Sequence, residues 1–198
     1  MKTILLHMLF VPAWVLTGMA GLTSEAGRPV QGQPENKVYR GSDGLLQFKS
    51  NAPLEVIEAK SDKLRGVLDP GTQSFAWSVD IISFQGFNSP LQREHFNENY
   101  LESSRYPKAT FTGKIIEKID FDKDGVFPVR AKGKLLIHGV EQERIIKGKI
   151  EIRGHKLRIQ ASFIVPLTDH DITIPKIVHQ KIAEEIAVTV DALLVAAN

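Results

Sequence analysis

Three short runs bring together residue types that could do chemistry. Asp169-His170-Asp171 sets two carboxylates around an imidazole, the ingredients of a cation site or an acid–base pair. Consecutive residues of an extended chain point to opposite faces and cannot converge on one atom, so the spacing favours a polar turn. His95 and Glu98 stand three apart, about one helical turn, close enough to share a metal. No third ligand stands at a recognisable spacing and no His-Glu-x-x-His pattern occurs, so His95 is read as a surface or helix-packing side chain. Asp122-Lys123-Asp124-Gly125 has the opening of a calcium loop without its later ligands or closing glutamate, and a hairpin turn accounts for it. No serine sits in a nucleophile elbow, and neither common glycine-rich phosphate loop is present. The chain has 198 residues and no cysteine. Thiol catalysis, thiolate metal sites, disulfides and an acylated-cysteine anchor are thereby excluded. The sequence leads to the expectation of no catalytic residue, no metal and no cofactor.

Composition points the same way. Hydrophobic residues make up 42% of the chain and charged residues 24%, enough apolar material for a core and too much for disorder. Lysine plus arginine exceeds aspartate plus glutamate by 25 to 23, too small a bias to draw in nucleic acid. The first residues read as an export signal: Lys2 is the positive start, residues 4–16 the apolar stretch, and Gly18-Met19-Ala20 a small-x-small cleavage site. The expected organisation is a signal peptide over 1–20, a flexible lead-in over 21–40 and one β-barrel domain over 41–198. An alternative cut follows Ala26, and the uncharged stretch running on to Ser24 leaves an uncleaved anchor as the other reading. Residues 27–36, rich in Gly, Pro and Gln, carry no periodicity. The expected location is the periplasm or the outside of the cell.

The elements that would hold any site are strands. Leu157, Ile159, Ala161, Phe163 and Val165 alternate with polar residues, as do Phe75, Trp77, Val79 and Ile81. The same period runs through Val129, Ala131, Gly133, Leu135 and Ile137, through Ile146, Gly148, Ile150 and Ile152, and through Ile186, Val188, Val190 and Ala192. Less regular strands are expected over 45–50, 56–68 and 110–119. With turn residues at Asp69-Pro70-Gly71, Asp124-Gly125, His138-Gly139 and Gly154-His155, these make an all-β, lipocalin-like antiparallel barrel of about eight strands. One short helix interrupts them: Ser89 caps it, Pro90 suits its first turn, Gln92 completes a capping box, and it runs to about residue 103. Residues 175–183 are expected to form a further helical turn.

The inner face mixes large residues with the small Ala131, Gly133, Gly148, Ala161 and Ala192. Small residues on a barrel wall leave room in the middle; equally, large neighbours can fill what they vacate. An open interior would be apolar and suited to lipid rather than sugar or ion. The candidate lining is Phe75, Trp77, Val79, Leu135, Ile150, Ile159, Ala161 and Phe163. Because parting a hydrogen-bonded wall exposes unpaired backbone groups, access is expected at an open end. There Phe96 and Tyr100 of the helix would act as a lip, or the helix would simply plug that end. A filled barrel working through its outer face, with Arg130, Lys132, Lys134, Lys147 and Lys149 as a docking patch, is the competing expectation.

Two blocks resemble a known family. Arg93-Glu94-His95-Phe96, then Tyr100-Leu101-Glu102 and Tyr106-Pro107-Lys108-Ala109-Thr110-Phe111, is similar to the first conserved block of YceI-like proteins. Gly133-Lys134-Leu135-Leu136-Ile137-His138-Gly139-Val140 resembles their later strand and turn. Phe96 stands where leucine is commoner, Leu136 replaces a threonine, and the 175–183 segment departs from the pattern. The resemblance implies a lipocalin-like barrel, exported and not an enzyme, with an isoprenoid lipid or quinone-like ligand as partner. From the balanced charge no nucleic-acid partner is expected, and membrane contact is expected only transiently during loading, if at all.

Overall fold

The computed structural model describes residues 37–197; the expected signal segment 1–20, the alternative cut expected after Ala26 and residues 21–36 of the expected lead-in lie outside them. Eight antiparallel strands follow one another: β1 (Val38–Asn51), β2 (Val56–Asp69), β3 (Ser74–Asp80), β4 (Lys108–Ile115), β5 (Gly125–Ile137), β6 (Val140–Arg153), β7 (Lys156–Pro166) and β8 (Glu185–Ala197). Each pairs with the next, and β8 pairs with β1 to close the barrel. The period-two segments fall in these strands, except that Ile81 lies just past β3 in the 3₁₀ turn Ile81–Ser83. Closure gives each strand a backbone partner on both sides over at least part of its length, which reduces the usual edge hazard of a long antiparallel sheet.

Two boundaries differ from the expectation. β1 begins at Val38, inside the expected lead-in of 21–40, where Val38, Tyr39 and Arg40 pair with Ala197, Ala196 and Val195. Tyr39 is wholly buried. Register shifts around Gly41 and Gly44 break the alternation here, which hides the strand from a periodicity search. β4 stops at Ile115 rather than running to residue 119; beyond it the chain turns, and Phe121 folds into the core.

The helix is also shorter than the expected 89–103. α1 spans Pro90–His95, and a single wider π-type turn, Phe96–Tyr100, follows it, with the Leu101 N–H donating to the Phe96 carbonyl at 3.0 Å. Ser89 caps α1 as expected, its hydroxyl accepting from the Gln92 N–H at 3.2 Å. Gln92 returns its bond one residue earlier than a capping box requires, accepting from the Asn88 N–H at 3.0 Å. Residues 175–183 contain one 3₁₀ turn, Lys176–Val178. The segment is tied to the end of β1 and the turn after it: the Leu54 N–H donates to the Gln180 carbonyl (2.9 Å) and the Ala183 N–H to the Ser50 hydroxyl (2.8 Å).

One half of the barrel is solid. Tyr39, Leu68, Phe75, Ile115, Phe121, Ile150, Ile152, Leu157 and Leu194 form a buried cluster there, with Trp77, Phe111 and Ile159 packed against it. Glycines admit the large rings: Trp77 lies where a Cβ on Gly66 would stand, and the Phe111 ring would be 3.0 Å from one on Gly133. At Gly66 and Gly133 the missing side chain thus makes room for a neighbouring ring. Close packing governs this half.

The wall is not uniformly paired. The β6–β7 ladder runs from Arg153↔Lys156 to Gly148↔Ala161 and ends there, although both strands continue. Above that point Arg144 bridges the gap, donating to the Ile164 carbonyl (2.7 Å) and the Asp169 carboxylate (3.0 Å), while the Gln142 amide donates to the Asp169 carbonyl (2.7 Å). The barrel is therefore joined by side chains, not by backbone, along this stretch of one seam.

Candidate ligand-binding cavity

The other half of the barrel is hollow, with a cavity of about 460 Å³. This lies within the range of small-molecule sites. Its wall is built from strand ends: Leu46 and Phe48 of β1, Ile57 of β2, Val79 of β3, Ala109 of β4, Leu135 and Ile137 of β5, Phe163 and Val165 of β7, and Ile186 and Val188 of β8. The segments that bound the open end add Ile81, Phe84 and Phe87 after β3, Leu91 of α1, Phe96 and Tyr100 of the π turn, and Leu167, Ile172, Val178 and Ile182 between β7 and β8. The ionisable groups on the lining are Glu55, His95, Tyr100 and Lys181, all carried by the segments at the mouth. Burial pushes the Tyr100 phenol up from its ordinary pKa, so it remains a neutral donor.

The register sets the floor. Val79 pairs with Ala109 and both line the cavity; one step further down, Trp77 pairs with Phe111 and both belong to the solid half. Of the ten expected ligand contacts, Val79, Phe96, Tyr100, Leu135 and Phe163 line the hollow half. Phe75 and Ile150 are instead buried in the solid cluster, with Trp77 and Ile159 packed against it. Ala161 borders a depression beside Gly148 and Gln160. Alternation tells which face a residue occupies, not its height along the barrel axis, so face alone could not separate the two groups. None of Ala131, Gly133, Gly148, Ala161 and Ala192 lines the hollow.

Over the mouth stands a group of four phenylalanines. Phe96 stacks on Phe48 with centroids 5.3 Å apart and planes within 16°, and lies 5.7 Å from Phe84 and 5.0 Å from Phe87. Tyr100 packs beside Ile81, Leu101 and Ile172, a cluster that Phe96 also packs against. Sequence reasoning missed Phe48, Phe84 and Phe87. Phe48 shares the alternation of Leu46 and Ser50, a signal that could have found it; Phe84 and Phe87 lie in a connection with no period at all.

The runs that suggested chemistry are structural. His170 is fully buried in the 3₁₀ turn Leu167–His170; its Nδ1–H donates to the Val140 carbonyl at 3.1 Å, and its own carbonyl accepts from His138 Nδ1 at 3.1 Å. Burial pulls its pKa down, which keeps the ring neutral. Asp169 pairs with Arg144. Asp124 caps the neighbouring hairpin through the Gly154 N–H at 2.8 Å. His95 is exposed. Among the described residues no group of three or more His, Cys, Asp or Glu side chains is placed to hold a metal.

The two blocks behind the resemblance meet in space. Tyr106 packs edge-on against His138 at 4.8 Å, and its ring fills the place of a Cβ on Gly139. His138 and Gly139 both have positive φ, making the tight turn between β5 and β6. The family model for a YceI-like domain matches residues 47–194. This chain belongs to the YceI-like family. No curated protein matches its sequence. Solved structures do. A polyisoprenoid binding domain from Saccharophagus degradans implicated in plant cell wall breakdown superposes with TM-score 0.67 at 14% identity, over 82% of this chain and 99% of that one. BcnA of Burkholderia cenocepacia gives 0.63 at 16%, over 76% and 95%, and the YceI protein of Campylobacter jejuni 0.55 at 17%, over 71% and 84%. At these identities the YceI-like barrel is what they share with this chain.

Proposed function

We propose that this YceI-like protein is an exported, non-catalytic carrier that holds a long apolar ligand of isoprenoid type in the hollow half of its barrel. The observation that carries this is the cavity of about 460 Å³, whose walls are aliphatic and aromatic from floor to mouth. An apolar chain placed there leaves water at roughly 25 cal/mol per Å² of buried surface, and the site sets no buried charge against it. The Saccharophagus domain, described as binding polyisoprenoid, supports the choice among apolar ligands. The signal-like residues 1–20 support export to the periplasm or beyond. A barrel acting only through its outer face has no use for this volume.

The test is native mass spectrometry with lipid extraction, after expression with its signal in a host that makes isoprenoid quinones. A co-purified isoprenoid lipid at about one per barrel is expected. A consistently empty protein that also fails to take up added polyprenol or quinone would overturn the reading.

A further inference from the structure

We infer that the open end of the barrel docks on an anionic phospholipid bilayer, which a crest of exposed apolar side chains, Leu54, Leu91 and Ile177, enters at the rim of the hollow. The inference rests on the carrier reading and names the surface from which the ligand is loaded. Leu54 is 66% exposed, Leu91 57% and Ile177 92%. One exposed leucine means little; three on adjoining segments around an apolar opening mark a contact surface. The segments adjoin through hydrogen bonds. At the start of α1 the Asn88 and Gln92 amides donate to the Val56 carbonyl (2.9 Å) and the Glu55 carboxylate (3.0 Å), and the Leu54 N–H donates to the Gln180 carbonyl (2.9 Å). Leu91 is part of the cavity lining, and Leu54 and Ile177 are next in sequence to the lining residues Glu55 and Val178.

The crest is held out by its backbone. Leu54 stands in a turn closed by the Ala52 N–H on the Glu55 carbonyl (3.0 Å), and Ile177 in the 3₁₀ turn closed by the Val178 N–H on the Pro175 carbonyl (3.0 Å). Leu91 follows Pro90 in the first turn of α1. Charge selects the occupant. The 175–183 segment carries Lys176 and Lys181 and no carboxylate, and both lysines are exposed. Neither forms an ion pair among the described residues. Over residues 52–55, 88–95 and 175–183 together, Arg93, Lys176 and Lys181 outnumber Glu55 and Glu94. An apolar tip beside ammonium groups fits the boundary between acyl chains and phosphates, where Ile177 enters the chains and the lysines stay with the head groups. Seated so, the opening faces the bilayer, and a lipid reaches the hollow without crossing water.

Co-sedimentation with phosphatidylcholine vesicles, with and without phosphatidylglycerol, tests the docking on protein carrying no ligand. The protein should bind the mixed vesicles, and the double variant Leu54→Ser with Ile177→Ser should bind on the order of tenfold less. Both positions are exposed, so circular dichroism should show the fold intact. Lys176→Gln should lose much of the gain that phosphatidylglycerol brings. Absence of binding to the mixed vesicles, or equal binding by the double variant, would overturn the docking inference; uptake of polyprenol from detergent would then leave the carrier reading standing. Docking with no polyprenol uptake from vesicles or detergent would overturn the carrier reading and leave the docking surface. A dimer in analytical ultracentrifugation that the double variant dissolves would assign the crest to a second copy of the chain and overturn the bilayer as its occupant.

Discussion

Phe96 and His170 respond to different perturbations. Phe96 is half-buried against three other rings, so Phe96→Ala should lose roughly half of the ~3–5 kcal/mol typical of a full core truncation. The same change removes the stack over the mouth, and release of a bound lipid should quicken several-fold in stopped-flow transfer to vesicles. A stability loss in urea melts with unchanged release would mark the ring as a plug. His170 responds to pH. Its folded pKa is held below the ordinary 6.5 by burial, opposed by its bond to the Val140 carbonyl and by Asp169, with Arg144 acting in the same sense as burial. The unfolded chain therefore takes up a proton at a pH where the native ring stays neutral. Stability is complete above about 6.5 and falls as pH drops below it. Denaturation at about pH 7.5 and about pH 5.5 should show this loss, and His170→Asn, which cannot titrate, should show a smaller one.

Among the elements, the β6–β7 seam is the place where side chains replace a backbone ladder. Arg144 supplies two hydrogen bonds, one of them to the Asp169 carboxylate, across strands that no longer pair. Arg144→Ala should destabilise the protein by about 1–3 kcal/mol, and amide exchange should rise in the upper parts of β6 and β7 while the ladder below Gly148 stays protected. Uniform protection in the variant would show that the turn above the seam holds it closed unaided. The sequence exposed the strands because one face of each is solvated, so Leu157 to Val165 or Val129 to Ile137 could be read directly. It also exposed the start of α1, through Ser89 and Pro90. The start of β1 was hidden by its bulges, and the split seam has no sequence signature, since Arg144 looks like any solvated arginine on a strand. The candidate site was half legible for a related reason: Val79 and Phe75 share a face, and only the register places one above the floor and the other beneath it.

At the scale of the whole molecule, the barrel divides its duties along its axis. The packed half carries the largest fully buried apolar side chains, Tyr39, Leu68, Ile150, Ile152, Leu157 and Leu194; the hollow half contributes walls and a mouth. A bound ligand should then raise the melting temperature by mass action on the folded state, most clearly in variants weakened at the mouth. The floor beneath Val79 and Ala109 has a further effect. A chain that enters from the mouth meets Trp77 and Phe111 and can go no deeper, so the depth of the hollow acts as a ruler. Affinity across a series of prenyl chains should climb with each added unit until the tail touches that floor, then level off as further carbons are left outside. Leu135→Phe, which thickens the wall near the bottom, should bring the plateau to a shorter chain.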